Sequence, residues 1–486
     1  MTDAANHATT YGYDAMSNLT SMTDALSRVT NYEYDDFNRL KKRIYPPAST
    51  GATRLFETMA YDTAGNVTHR TDTAGRETSY AYDNVNRMSS VTDADDKMTS
   101  FEYDALSRTT AVVDALNQQY QFAYDALGRQ TGMTRGGVSM SYQYDAVGNR
   151  TQRTDYNGTV TNYTYDNLNR LTTITYPTRT ATYAYLVTGQ LSRATNENGS
   201  VYIGYDNRYR VSSFSDPFYY GVSYNYDTAG NRTKLKLNGA TYATYTYDAV
   251  NRMTNLADAA NLNFPHSYDA INRLMSRSAP NGVTSSYAYD DLDRLTALTH
   301  SAGVKTLIGN QYVYDDANNI RSWTNAIGTH DYEYDPVDRL TAATHSAEPN
   351  EHYTYDEVGN RIKSADLGYE YEPFNKLVRT DVASYSYDNN GNLISKADGQ
   401  GRTDCIWNEE NQLVEVDLPD GEMLNQTSTP QASVFSFSER STKLSQCEST
   451  MSACRCPRPP LLIRETPASR SSSGCGWPTA LLLMFR

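Results

Sequence analysis

The chain has 486 residues, enough for two or three ordinary domains, with 42 Tyr against 11 Phe and 3 Trp and a formal charge of −14. That acidity argues against a phosphate-binding surface, since such surfaces are basic, so nucleic acid is not expected as a partner. No apolar run approaches 18 residues and no basic-then-apolar segment follows Met1, so neither a membrane span nor a targeting signal is expected and export would need another route.

From Tyr13-Asp14 onward the sequence repeats. Tyr-Asp occurs 17 times, usually two residues after another aromatic and mostly every 20 or 21 residues, from Tyr13-Asp14 and Tyr34-Asp35 to Tyr387-Asp388. Degenerate copies stand at Tyr185-Leu186, Tyr371-Glu372 and Trp407-Asn408. A fixed period over most of the chain makes the repeat the unit of architecture, and function is to be sought in what the array builds.

Within one repeat, Thr161 to Thr175, Tyr163 and Tyr165 fall at i and i+2 and would share one face of a strand. Thr, Tyr and Ile favour strand on both sides of Asp166-Asn167-Leu168-Asn169. Asp166 opens a turn, because its carboxylate can accept from backbone amides just ahead, and Asn169 tolerates positive φ. The fourth residue after each Tyr of the 17 pairs is Gly in six, Asn in six and Asp in two, the residues that visit the left-handed region most cheaply. The residue before it is mostly apolar (Phe37, Val85, Leu127, Val147, Ile271, Val358) and should pack the turn onto a neighbour.

A second turn signal falls half a period later, at Asp24-Ala25-Leu26-Ser27, Asp72-Thr73-Ala74-Gly75, Asp114-Ala115-Leu116-Asn117 and Asp155-Tyr156-Asn157-Gly158. Turns ten or eleven residues apart separate strands of roughly 5–6 residues. Each repeat is therefore predicted to be a β-hairpin feeding the next. About 40 strands at ~4.8 Å would make a ribbon on the order of 190 Å long. Strand twist accumulates, so such a ribbon must coil into a spiral, barrel-like hollow shell. The expectation is an all-β chain of tandem antiparallel hairpins with a disordered C-terminal tail.

The pattern Tyr-x-Tyr-Asp-x-x-Gly/Asn-Asn/Arg-Leu resembles the YD repeats of RHS proteins, shared with teneurins and the cocoon-forming subunits of Tc toxins, over roughly Tyr11 to Glu422. Tyr371-Glu372-Pro373-Phe374-Asn375-Lys376-Leu377-Val378 and Trp407-Asn408-Glu409-Glu410-Asn411-Gln412-Leu413-Val414 are similar to the approach to the bacterial RHS core. The resemblance implies a hollow β-shell, without enzymatic activity, that encloses or displays a polypeptide. Its implied partners are an enclosed toxin or a secretion-system component, and its implied location is outside the cell or on its surface. The alternatives are a surface module binding carbohydrate or a partner cell, and a fragment without independent function.

Further repeats and the Asp-Pro-x-Gly-Leu closing motif that the resemblance leads one to expect do not follow Leu418-Pro419-Asp420-Gly421-Glu422. Instead the composition breaks: no Tyr after Tyr387, no Asp after Asp420, four of the five cysteines (Cys447, Cys454, Cys456, Cys475), and seven Lys/Arg against four Asp/Glu from Glu422 on. A truncated or frameshifted reading of a longer shell gene would produce this. The expected division is a YD-repeat shell over 1–368, a core-like continuation over 369–422 and a low-complexity, disordered tail over 423–486.

No catalytic, cofactor or metal site is expected. Calcium needs six to eight converging oxygens, and a once-per-repeat Asp, even in Asp95-Asp96, Asp290-Asp291 or Asp315-Asp316, is accounted for by turn capping. The seven His (His7, His69, His266, His300, His330, His345, His352) show no ligand spacing, with His266 in the aromatic slot before Tyr268. The C-terminal cysteines match no zinc-finger spacing. Arg87, Arg170, Arg252, Arg273 and Arg294, at turn exits, read as strand-edge charges bridging to neighbouring Asp.

Overall fold

A computed structural model describes residues 1–217, 221–365 and 367–425. These residues form 41 strands and no helix, from Thr10–Tyr13 to Met423–Asn425. Each strand pairs antiparallel with its predecessor and its successor, so strand order in space is chain order. The sheet is open: the first strand pairs only with Leu19–Thr23 and the last only with Leu413–Asp417. The ladder crosses the boundary expected at 368 without a break, where Arg361–Ser364 pairs with Leu367–Glu372. It also runs past 422, because Leu418 to Gly421 forms one more turn, with Gly421 at φ 79°, and Met423–Asn425 returns beside Leu413–Asp417. The rest of the expected tail, with its four cysteines, lies outside the described residues.

Two kinds of turn alternate. Tyr-Asp turns lie along one edge of the ribbon and return turns along the other. In strand Val160–Tyr165, Tyr163 and Tyr165 are half-buried while Asn162 and Thr164 are exposed, so the expected alternation of faces is present. Few side chains are fully buried. Leu393, Cys405 and Val416, near the end of the ladder, form a small core with Tyr385, Tyr387 and Trp407 around it.

Each of the twenty Tyr-Asp or degenerate hairpins carries a bulge at one place. In one of them Thr164 pairs with Thr173 and Tyr165 with Leu171, leaving Thr172 without a cross-strand partner in the ladder. A bulge bends its strand and raises the local twist. Twenty bends on the same strand, next to the same edge, add in one direction.

The ribbon coils back onto itself. Return turns of the first coil meet Tyr-Asp turns of the second, 230 to 265 residues downstream: Arg28 with Asp293 at 2.7 Å, Arg76 with Asp338 at 2.6 Å, Asn157 with Asp388 at 2.8 Å and Arg179 with Glu410 at 2.8 Å. Counted along the ladder, these contacts lie some 23 to 25 strands apart. At ~4.8 Å per strand, one circuit is about 115 Å around and about 35 Å across between strand axes. The spiral expected from repeat number is present, with one edge of the ribbon seated on the other.

Candidate functional site: the stapled edge and the inter-coil seam

All 17 residues at the fourth position after a Tyr-Asp tyrosine have φ between 60° and 101°. These include Ser17, Ser107 and Tyr209, which have no local reason to be left-handed, so the array imposes the turn even where composition does not. The Asp closes it. One Asp166 carboxylate oxygen accepts from the Leu168 amide at 2.9 Å and the Arg170 amide at 3.0 Å, and the other accepts from Arg170 Nε at 2.7 Å. The Arg170 guanidinium, then its backbone amide, holds the Asp166 carboxyl below the usual carboxylate range. The capping role expected of these aspartates is the one they perform.

The arginine does more than bridge charges. In ten repeats its Nη1 donates to the backbone carbonyl that opens the next Tyr-Asp turn, as in Arg87 to Asp104 at 2.9 Å and Arg252 to Asp269 at 2.9 Å. In the same ten repeats the guanidinium lies 4.3 to 5.1 Å from the centre of the next repeat's Tyr ring. The expected bridge to Asp is made to the carboxylate of the arginine's own turn, and the planar guanidinium points its far nitrogen along the edge to the carbonyl of the next turn. Where the repeat has Asn instead, an amide ladder substitutes: Asn149 Nδ2 donates to Asn169 Oδ1 at 3.0 Å and Asn231 Nδ2 to Asn251 Oδ1 at 2.8 Å.

The tyrosine completes the staple. In sixteen repeats the Tyr hydroxyl donates, at 2.7 to 3.0 Å, to the carbonyl that leaves the previous Tyr-Asp turn, as in Tyr165 to Arg150 and Tyr289 to Leu274. Trp407 stands in the same slot and its indole N–H donates to Leu393 at 2.7 Å. Tyr, rather than Leu or Phe, is required because the buried ring must also satisfy a strand-end carbonyl.

The seam between coils is ionic and mostly of one sign on each side, with Asp95 and Arg339 paired the other way round. Arg28, Arg76, Lys97 and Arg179 lie on return turns of the first coil, and they face Asp293, Asp338, Glu357 and the Glu409-Glu410 pair on Tyr-Asp turns of the second. Tyr176 and Thr178 also bond to Glu410 and Glu409, and Phe374 packs edge-on against Tyr120 at 5.2 Å. Neither the sign pattern nor the pairing is visible from spacing within a repeat.

The Asp doublets do not converge: Asp95 pairs with Arg339 at 2.9 Å, Asp290 with Arg294 at 2.7 Å, and Asp315 caps Asn319 at 2.8 Å. Two histidines do meet. His330 and His345 are cross-strand partners with their Nδ1 atoms 2.7 Å apart; Trp323 stacks on His330 at 4.7 Å and Glu348 lies beside them. Linear spacing hid this pair, which the hairpin register would reveal. The three side chains could offer donors to a metal, yet His330 Nε2 faces the Asn325 amide nitrogen at 3.4 Å, while Asn325 Oδ1 accepts from Ile327 and Gly328. A ligating histidine normally presents its second nitrogen to an acceptor. The arrangement fits an imidazole pair, one ring donating to the other, better than a metal centre.

The profile of the Teneurin YD-shell family matches residues 133–327 and 319–421, and that of the RHS repeat matches residues 1–26, 17–46, 61–98 and 103–137. No curated protein matches the chain. Among solved structures, a chain of the Photorhabdus luminescens Tc holotoxin pore is 14% identical, with a TM-score of 0.65 over 87% of this chain and 27% of its own length. The complex TcdB2-TccC3-TEV gives 14% identity and a TM-score of 0.60 over 87% of this chain and 28% of that one. TcdB2-TccC3 gives 14% and 0.58 over 88% and 28%. At such identity the likeness is one of fold, and this chain spans a little over a quarter of those it resembles. With its profile matched over more than half of the residues, the chain belongs to the Teneurin YD-shell family.

Proposed function

We propose that the chain is a wall: a non-enzymatic shell segment whose coils surround a polypeptide, a toxin in the reading the Tc holotoxin likeness favours, and which acts outside the cell or at its surface. A secretion-system component is the other partner of this reading. The observation that carries it is the open one-layer ribbon whose successive coils meet turn on turn after some 23 to 25 strands. A sheet that buries neither face under helices or a second sheet builds a surrounding surface rather than a core. Subtracting a side-chain layer of ~5 Å from each wall leaves a lumen about 25 Å across. A folded domain of 100 residues, with a radius of gyration near 13 Å, is wider than that, so the occupant would be held extended or only partly folded.

Against the carbohydrate-binding alternative, the hydroxyls of the Tyr-Asp tyrosines are already committed to strand-end carbonyls. The test joins a protease-sensitive reporter polypeptide after Arg486 in the full chain. Enclosure predicts that the reporter survives digestion until the shell is denatured. Cleavage as fast as in the free reporter would reject enclosure, and binding on a glycan array would then favour display.

A further inference from the structure

The residue six places after the tyrosine of each hairpin faces that ring across the ladder, and its carbonyl is the one that receives the next repeat's hydroxyl. It is Leu, Ile, Val or Met in fifteen of the twenty hairpins and Arg in three, Arg150, Arg232 and Arg361. A guanidinium in a slot built for leucine gives up apolar burial and sheds water, so it costs stability unless an anion answers it. Arg361 lies over Tyr353, whose hydroxyl bonds Glu351, so that copy has an acid close by. Among the described residues, Arg150 and Arg232 have no carboxylate partner.

The Arg150 guanidinium is clasped by Tyr142 at 5.3 Å and Tyr163 at 5.0 Å, one ring from each neighbouring strand. Its Nε is buried without a partner, and its two terminal nitrogens, which bond to no described residue, are open. Arg153 and Arg135 stand on the same face, each with one terminal nitrogen on a neutral seam carbonyl, of Glu409 at 3.2 Å and of Asn390 at 3.1 Å. Arg153 Nε and the hydroxyls of Tyr156 and Thr161 are likewise buried with no partner among the described residues. From Gln119 to Tyr185 the only acids are Asp125, Asp145, Asp155 and Asp166, all engaged in turn caps. Across the seam, Glu409 and Glu410 are taken by Arg179. Three cations and four idle donors thus meet no anion. Arg232 repeats the clasp, between Tyr224 at 5.3 Å and Tyr245 at 5.2 Å, and there Asp227, Asp248 and Asp258 are again caps.

We propose that this face holds the acidic side chains of the polypeptide the shell surrounds, their carboxylates seated at Arg150 and Arg232. A clasped guanidinium presents its two terminal nitrogens as a fork that matches the two oxygens of a carboxylate, and the flanking rings fix it before the ligand arrives. Side chains converge on the concave side of a curled ribbon. The crowded tyrosine face, rather than the face carrying the exposed Thr164 and Arg193, therefore looks onto the lumen. This site presupposes the enclosure proposed above and adds the chemistry of the occupant. A chain of formal charge −14 would repel an acidic guest, and Arg150 and Arg232 stand where that charge is locally reversed.

The test joins two reporters of equal length after Arg486 of the full chain, one with Glu at every fourth position and one with Gln there. Protease survival reads enclosure. Phenylglyoxal, which labels accessible guanidiniums, reads contact by peptide mass spectrometry. Both reporters should outlast the free polypeptide, and the Glu reporter alone should cut labelling of Arg150 and Arg232 about fivefold while leaving Arg193 unchanged. In the wild type the Glu reporter should also survive about threefold longer than the Gln reporter. That difference should vanish in the Arg150→Leu, Arg232→Leu chain, where Leu restores the slot's usual residue and circular dichroism checks the fold. Reporters cleaved like the free polypeptide would reject enclosure and this site with it. Reporters that are both protected, with Arg150 labelled equally under the two or with Arg193 shielded instead, would overturn the carboxylate site alone.

Discussion

Asn169→Val tests the turn mechanism at one point. Asn169 has φ 60° and accepts a hydrogen bond from Asn149 at 3.0 Å. Holding an L-residue in the left-handed region costs about 1–2 kcal/mol, with β-branching at the upper end. The lost exposed amide–amide bond adds roughly 0.5 kcal/mol. A total near 2 kcal/mol, at 1.36 kcal/mol per decade, makes local opening about 30-fold more frequent. Strand Val160–Tyr165 pairs only with Arg150–Thr154 and Leu171–Thr175, so the loss should stay within adjacent hairpins. Hydrogen exchange read by mass spectrometry should show faster exchange around Tyr165 to Thr173 and no change near Tyr61 or Tyr289. Asn169→Gly keeps the backbone conformation and should lose only a few tenths of a kcal/mol. Uniform loosening of the whole ladder, or equal effects of Val and Gly, would refute the reasoning.

Acid should dissolve the turns together. The Arg108 backbone amide, and after it the Arg108 guanidinium, hold Asp104 below its ordinary 3.8, and Asp83 and Asp125 are held down in the same way. A depressed carboxyl contributes stability that is complete above its unfolded value and lost as pH falls through the folded one, so melting temperature should be flat from pH 7 to 5 and fall below about pH 4. A fall between pH 7 and 5 would point elsewhere. At the alkaline end, burial pushes the phenols of Tyr103, Tyr124 and Tyr205 above 10.0. Their contribution is present below that value and lost as pH rises through the higher folded one, and tyrosinate absorbance should show part of the 42 Tyr titrating late, together with unfolding. Gly136→Ala should pry at the seam, because at φ 53° the added Cβ would stand 2.7 Å from the Phe374 ring. A cost of about 1–3 kcal/mol is expected, seen as faster exchange at Phe374 with the strand Gln119–Tyr124 unchanged. Equal protection in variant and wild type would refute the contact.

Much of the fold was legible because its determinants are local. The Gly, Asn and Asp positions after Tyr announce a left-handed residue, and Tyr163 with Tyr165 announces a face. Ser17, Ser107 and Tyr209 show the limit of that code, since they adopt the same φ without favouring it. The seam was not legible, because the meeting of Arg28 with Asp293 depends on curvature summed over many bulges, a quantity no single repeat contains. The His330–His345 pair escaped for a related reason: partners across a hairpin lie 15 residues apart, in a register offset by the bulge at Thr341. The arginines were placed correctly at turn exits and do bridge to Asp, but their second bond, to a main-chain oxygen of the next turn, was not foreseen.

The bulges carry a consequence for how such a chain can change in length. Gaining or losing one hairpin leaves every local bond intact, yet rotates all later residues by two strands around the circumference. Arg28, Arg76 and Arg179 would then face the wrong neighbours. The seam therefore acts as a tally: cations and acids set far apart along the polypeptide meet only when the number of hairpins between them is right, so selection on their pairing would guard the repeat count itself.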